Sequence, residues 1–201
     1  TEIAEAIHFQ EQYYESEIET MPQLNFISKE PINKGWSCDK KYCVTADDGV
    51  KYLLRVTPEE KSANRADMFR MQRQVAALGV SMCKPVEFGK CDEGVYTVLT
   101  WVDGKDAEEV IPFLEESEQY TYGLEAGRIL KVIHSIPAPE NQPDWESRFN
   151  AKMDHKIKMY NECPIKFDGA ENIIAYIKSN RHLLANRSQC FQHGDYHIGN
   201  M

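Results

Sequence analysis

His193, Asp195 and Asn200 fall in the order His-x-Asp-x-x-x-x-Asn within His193-Gly194-Asp195-Tyr196-His197-Ile198-Gly199-Asn200. That spacing suits phosphoryl transfer. A carboxylate can take the proton from a substrate hydroxyl. A carboxamide one short loop later can hold a magnesium ion that bridges nucleotide phosphates. Two other readings use the same residues. A polar turn with a helix-capping Asp needs no chemistry. The alternating His193, Asp195 and His197 could clamp a zinc or iron ion, as a metal-dependent hydrolase requires. The elements that position these side chains have to choose among the three.

Composition narrows the choice. Lys plus Arg is 23 and Asp plus Glu is 32, a net charge of −9. This argues against nucleic acid as the main partner, which needs a basic face. It suits a small cationic substrate, although acidic surfaces also serve solubility. Hydrophobic residues at 42% and charged residues at 27% fit a globular chain with a real core. Cysteines at 38, 43, 83, 91, 163 and 190 show neither Cys-x-x-Cys nor zinc-finger spacing, so reduced thiols in a cytoplasm are expected. No apolar run is long enough to span a bilayer, and the N-terminus has no signal-peptide pattern, so no membrane partner is expected.

The pattern along the chain changes once. Residues 1 to about 20 are acidic, and a helix is expected there. Cys38 to Thr45 and Val50 to Thr57 flank Ala46-Asp47-Asp48-Gly49, a hairpin signal. Val50, Tyr52, Leu54 and Val56 alternate onto one face of the second strand, and Lys51, Leu53 and Arg55 onto the other. Met68, Met71, Val75 and Leu78 at helical spacing predict a helix over 63–78, stopped by Gly79. A second hairpin, Val86 to Lys90 and Val95 to Trp101, turns at Cys91-Asp92-Glu93-Gly94. Strand, strand, helix, strand, strand is an α+β unit.

Beyond Gly104 the character is helical. Tyr120, Leu124, Gly127, Leu130 and His134 step by three or four, and Pro137 and Pro139 end that run. Asp168 and Glu171 have capping-box spacing, opening a helix with Ile173, Ile174, Ile177 and Leu184. The expected division is a β-rich, nucleotide-binding lobe over 1–102 and a helical lobe over 103–201, joined by Thr100-Trp101-Val102-Asp103-Gly104.

A nucleotide phosphotransferase also needs a loop over the phosphates, a cation beside them and a crevice for the base. Candidates occur in that order. Asn33-Lys34-Gly35-Trp36-Ser37 precedes a strand, and Gly35 lets backbone N–H groups approach phosphate. Arg55 is the strand cation, although a solvent-facing Arg is an equally good reading of that position alone. Backbone Thr100 C=O and Val102 N–H, in an extended joint, can pair with a purine edge.

The chain resembles the aminoglycoside phosphotransferase and choline kinase group, which has the protein-kinase-like fold. The residues that carry this are Tyr52-Leu53-Leu54-Arg55-Val56, Trp101-Val102-Asp103-Gly104, Ile133-His134-Ser135-Ile136-Pro137 and His193 to Asn200. The resemblance implies a bilobal α+β fold and an ATP- or GTP-dependent kinase acting on a small-molecule hydroxyl, with an aminoglycoside or another amine or alcohol as substrate. It implies Asp195 as catalytic base, His193 as a brace of its loop and Asn200 as a magnesium ligand. Thr100 and Val102 are the adenine-contacting backbone, and Gly35 and Ser37 lie in the phosphate-loop region. His197 receives no role.

Three departures accompany the resemblance. The strand cation is Arg55 where the family has Lys, and the two are not equivalent. Residues 64–74 contain no Glu, so Asp67 is the only acid there to serve as the helix partner. The Asp expected soon after Asn200 would lie beyond Met201, so the sequence reads as C-terminally truncated and inactive as it stands. The first two departures also fit a non-catalytic nucleotide-binding module.

Overall fold

The computed structural model describes residues 24–35 and 37–200. The helix expected over residues 1 to 20 lies outside them. Two compact units divide the chain: one runs through Gln119 and takes in the segment from His197, and the other is Tyr120–Tyr196.

The first unit is built on a five-stranded antiparallel sheet in the order β1-β2-β3-β5-β4. Its strands are β1 (Phe26–Pro31), β2 (Lys40–Ala46), β3 (Lys51–Pro58), β4 (Pro85–Cys91) and β5 (Gly94–Thr100). Both expected hairpins form. In the first, the Gly49 N–H donates to Ala46 C=O at 2.9 Å and Asp48 Oδ1 accepts the Val50 N–H at 2.9 Å. That turn fixes the β2–β3 register, with Lys40 opposite Val56 and Lys41 opposite Arg55. Gly94 opens β5 where a Cβ would stand 2.3 Å from Thr57 C=O, so only glycine lets the second hairpin close against the end of β3. The edge strand β1 was not anticipated; its residues alternate poorly, and all after Phe26 are exposed.

One face of the sheet carries a core of Val44, Leu54, Val56 and Val98, flanked by Phe26, Tyr52 and Tyr96. The expected alternation in β3 therefore holds for Tyr52, Leu54 and Val56, while Val50 lies in the turn and is 47% exposed. The expected helix forms as α1 (Arg65–Ala77), and Gly79 follows it with φ +78°. Its buried stripe keeps Val75 of the expected one but turns away from Met68 and Leu78. Phe69 and Val75 are buried, whereas Met68 and Leu78 are exposed. The aromatic contact of Phe69 with Phe88 on β4, 5.6 Å between ring centroids, decides which side packs. A short helix α2 (Ala107–Val110) follows the joint.

The second unit holds most of α3 (Glu116–Ile133), all of α4 (Trp145–Glu162) and α5 (Ala170–Ser179). On α3 the packed side runs through Ala126, Ile129, Leu130 and Ile133, while Tyr120 and Leu124 are exposed. Helix α4 was not anticipated. Its start is capped by Asp144, which accepts the Ser147 N–H at 2.9 Å. Asp168 does not cap α5; Gly169 does, at φ +85° and with no side-chain bond. Leu184 lies beyond α5, in a 3-10 turn over Arg181–Leu184.

Candidate functional site

The hairpin register places the strand cation. Lys41 and Arg55 face each other directly, a repulsive pairing of like charges. Each is drawn elsewhere. Lys41 Nζ donates to Lys34 C=O at 2.6 Å. Arg55 Nη2 donates to Asp39 Oδ2 at 2.5 Å, the carboxylate lying on the cross-strand diagonal. The other oxygen of Asp39 accepts Thr57 Oγ1 at 2.9 Å and Arg65 Nη2 at 2.9 Å. The Asp39 side chain is fully buried, at 0% exposure. Burial alone works to raise its pKa, but the hydrogen bonds from Arg55 and Thr57 and the charges of Arg55 and Arg65 hold the carboxyl below its ordinary value.

Arg55 therefore finds its acid immediately ahead of β2 and not on the helix. Asp67 pairs with Arg70 on the exposed side of α1. Asp39 was missed in the sequence, yet a signal existed. Once the Ala46-Asp47-Asp48-Gly49 turn sets the pairing, extending it by one residue puts Asp39 opposite Thr57 and diagonal to Arg55.

The glycine loop ahead of β2 is positioned by its own lysine. Gly35 takes φ +89°, where a Cβ would stand 2.6 Å from Lys41 Nζ. Lys34 Nζ pairs with Asp106 and lies 3.6 Å from Glu109, tying the loop to the start of α2. The Asp106 hydrogen bond raises the pKa of Lys34. Ser37 is exposed. At the joint, the Thr100 N–H donates to Lys84 C=O at 2.8 Å and its hydroxyl accepts the Lys84 N–H at 2.8 Å. Val102 follows in non-strand backbone at 58% exposure, and Trp101 Nε1 donates to Asp103 at 3.0 Å.

The acid loop is reached through a bridge in the helical unit. Past α3, Pro137 pairs with Cys190, and the Phe191 N–H donates to Ile136 C=O at 2.8 Å. The Ile133–Pro137 segment thus anchors the stretch that leads to His193. Gly194, at φ +82°, turns the chain so that Asp195 is exposed. His193 sets its ring edge against Tyr196, 5.4 Å between centroids, and the Tyr196 hydroxyl donates to Ala126 C=O on α3 at 3.0 Å. The hydrogen bond that ties this loop to α3 is thus made by Tyr196, with His193 packed against it. Burial, and then the charge of Glu125, raises the pKa of Tyr196 and keeps the phenol protonated.

The chain passes into the other unit after Tyr196. Ile198–Asn200 is a 3-10 turn packed on α2. The Gly199 N–H donates to His197 Nδ1 at 3.1 Å, and Nε2 stands 3.2 Å from the Asn200 carboxamide. His197 is thus in contact with both Gly199 and Asn200. A carboxamide oxygen is a hard donor of the kind magnesium takes. Among the described residues no three His, Cys, Asp or Glu side chains are grouped to hold a metal ion, so His193, Asp195 and His197 do not form the cluster that a zinc hydrolase needs. All six cysteines are free thiols. No helix among the described residues is long and apolar enough to cross a membrane.

Solved structures share the fold. The streptomycin–ATP–APH(2")-IIa ternary complex aligns with TM-score 0.57 at 16% identity, covering 94% of this chain and 64% of that one. The gentamicin–APH(2")-IIa complex aligns with TM-score 0.54 at 13% identity over 87% of this chain and 57% of its own. The GDP complex of wild-type aminoglycoside 2'-phosphotransferase-IIIa aligns with TM-score 0.51 at 12% identity over 88% and 59%. The chain therefore spans less than two thirds of the length of these structures. No curated protein sequence matches it. The model of the phosphotransferase enzyme family, APH, matches residues 29–201, from the edge strand through the His-Gly-Asp loop to Asn200 and beyond, and the chain belongs to that family.

Proposed function

We propose that this chain carries the nucleotide-binding and acid-loop parts of an ATP- or GTP-dependent kinase that phosphorylates a hydroxyl on a small molecule. The observation that carries the reading is the family match, which runs through the His193-Gly194-Asp195 and Asn200 pattern. Asp195 orients the substrate hydroxyl and accepts its proton. Asn200, in contact with His197, would contribute a magnesium ligand, and the ion would supply charge neutralisation at the phosphates. Arg55 grips the nucleotide phosphates with a guanidinium that Asp39 keeps in place. Gly35 and Ser37 lie over the phosphates, and backbone Thr100 and Val102 receive the base. Residues 1–102 form the nucleotide side and 103–201 the acid-loop side of the catalytic assembly.

The neighbours and the charge support one substrate class. Two of the solved structures are of a protein bound to streptomycin or gentamicin, and this chain has a net charge of −9. An aminoglycoside or a related polyamine alcohol is the first class to assay, and a cytoplasmic setting suits a nucleotide-dependent enzyme with free thiols. The test is phosphate transfer by the full-length protein from ATP or GTP, with magnesium, to a panel of amine-bearing alcohols. Transfer that is lost in Asp195→Ala supports the assignment. Transfer that survives that substitution overturns it, and nucleotide binding without turnover on any acceptor points to a non-catalytic module.

A further inference from the structure

Asp39 is wholly buried, while the side chains of its two arginine partners are 29% exposed for Arg55 and 20% for Arg65. The acid lies inside and the guanidinium edges reach the surface. We propose that Asp39 holds Arg55 and Arg65 as a paired cation for the phosphate chain of a nucleoside di- or triphosphate, with Arg65 a second phosphate-binding residue and Asp39 the positioning residue of both. This rests on the nucleotide-dependent reading above and adds Arg65 to it.

Three features support the pairing. The first is charge. Two guanidiniums against one carboxylate leave the cluster one positive charge in excess, in a chain whose net charge is −9. Among the described residues, Asp39 is the only acid paired with either arginine. A single Lys–Glu pair, the usual device at this place in kinases, would be neutral.

The second is the donor inventory. A guanidinium offers five N–H groups in a planar fork. Asp39 takes one from Arg55 and one from Arg65, and Arg65 Nη1 makes a weak contact with Met68 Sδ at 3.6 Å. Enough of each fork remains for bidentate contact with phosphate oxygens, which lysine cannot make.

The third is position. Arg65 is the first residue of α1, a helix of 13 residues whose N-cap, Asn64, makes no side-chain capping bond. A cation at a helix N-terminus opposes the helix dipole, so Arg65 gains from any anion placed beside it. Asp39 supplies one, and a phosphate would supply another. The geometry also explains why Asp67 can turn away to Arg70: the helix need not provide the partner of Arg55.

The test compares ligands that differ only in phosphate. The affinities of the full-length protein for adenosine, AMP, ADP and ATP are measured by calorimetry, or those of the guanosine series if GTP is the donor. In the native protein, affinity rises with phosphate number. Arg65→Met should weaken ATP binding by roughly ten- to a hundred-fold, the loss of a charge-assisted contact, and leave adenosine binding unchanged. Arg65→Lys should recover part of the loss. Asp39→Asn should flatten the rise from adenosine to ATP. Should that variant not fold, the partly exposed Arg65 substitutions decide alone. If Arg65→Met keeps the native ratio of ATP to adenosine affinity, the cluster is only structural and the proposal falls while the kinase reading stands. If the native protein binds no nucleotide, both fall.

Discussion

Val44 and Val98 of the sheet unit are wholly buried, whereas Ile173 and Tyr176 of the helical unit are 53% and 68% exposed. Of the buried apolar residues among those described, only Ile133 and Ala170 belong to the helical unit. The helical unit instead shows an apolar groove of about 160 Å³ between α4 and α5, lined by Met153, Ile157, Phe167, Ile173 and Ile177. The difference follows from how each element satisfies its backbone. A strand must pair with neighbours, so forming the sheet also assembles the core on its face. A helix bonds within itself and can present an apolar stripe whether or not another element covers it. The chemistry is divided in the same way. The cation cluster is built into the close-packed sheet unit, and Asp195 stands on an exposed loop of the other.

The contrast can be broken by substitution. The largest expected effect is on turnover. Asp195→Ala should cost roughly a thousand-fold in phosphate transfer by the full-length protein, as removal of a general base does. The thermal midpoint should move little, because the side chain is exposed. A large drop in stability would show that the loop is part of a core after all.

Asp39→Asn should have the opposite signature. It leaves two partly buried guanidiniums without their carboxylate, at a cost of about 3 kcal/mol in urea unfolding. The same carboxylate should shape the acid limb. Its folded-state pKa lies below the unfolded one. Its contribution is therefore complete above the unfolded value, near 3.8, and is lost as pH falls through the lower folded value. Acid unfolding of the native protein should show this loss and that of Asp39→Asn should not.

Two hydrophobic truncations sharpen the comparison further. Val98→Ala, at a site with 0% exposure, should cost about 2 kcal/mol. Ile173→Ala, half exposed on α5, should cost under about 1 kcal/mol. Equal losses at the two sites would mean that the groove is covered in solution.

Much of the sheet unit was legible because its signals are local. Asp-Gly turns, period-two alternation and a glycine after an apolar helical run each act within a few residues, and both hairpins and α1 formed where they indicated. The misses have a common cause. The buried side of α1 was settled by Phe88, distant in sequence from Phe69, and the buried side of α3 lies one step around from the expected stripe. The cap of α5 moved from Asp168 to Gly169 because a left-handed glycine ends the preceding turn without a side-chain acceptor. Helix α4 was overlooked because its stripe is diluted by lysines, although Asp144 with Ser147 carried a readable cap.

By itself the sequence determined the chemistry on offer: a carboxylate and a carboxamide at phosphotransfer spacing, an arginine on a hairpin strand, a glycine loop before it, and a helix with no glutamate to serve that arginine. Only the tertiary structure decided the partner. Asp39 and Arg65 are separated from each other by the whole of the first hairpin and its turn, and they meet through one carboxylate because cross-strand register and helix docking bring them together. Residue type is a property of the chain, but the pairing of charges depends on which neighbours burial supplies.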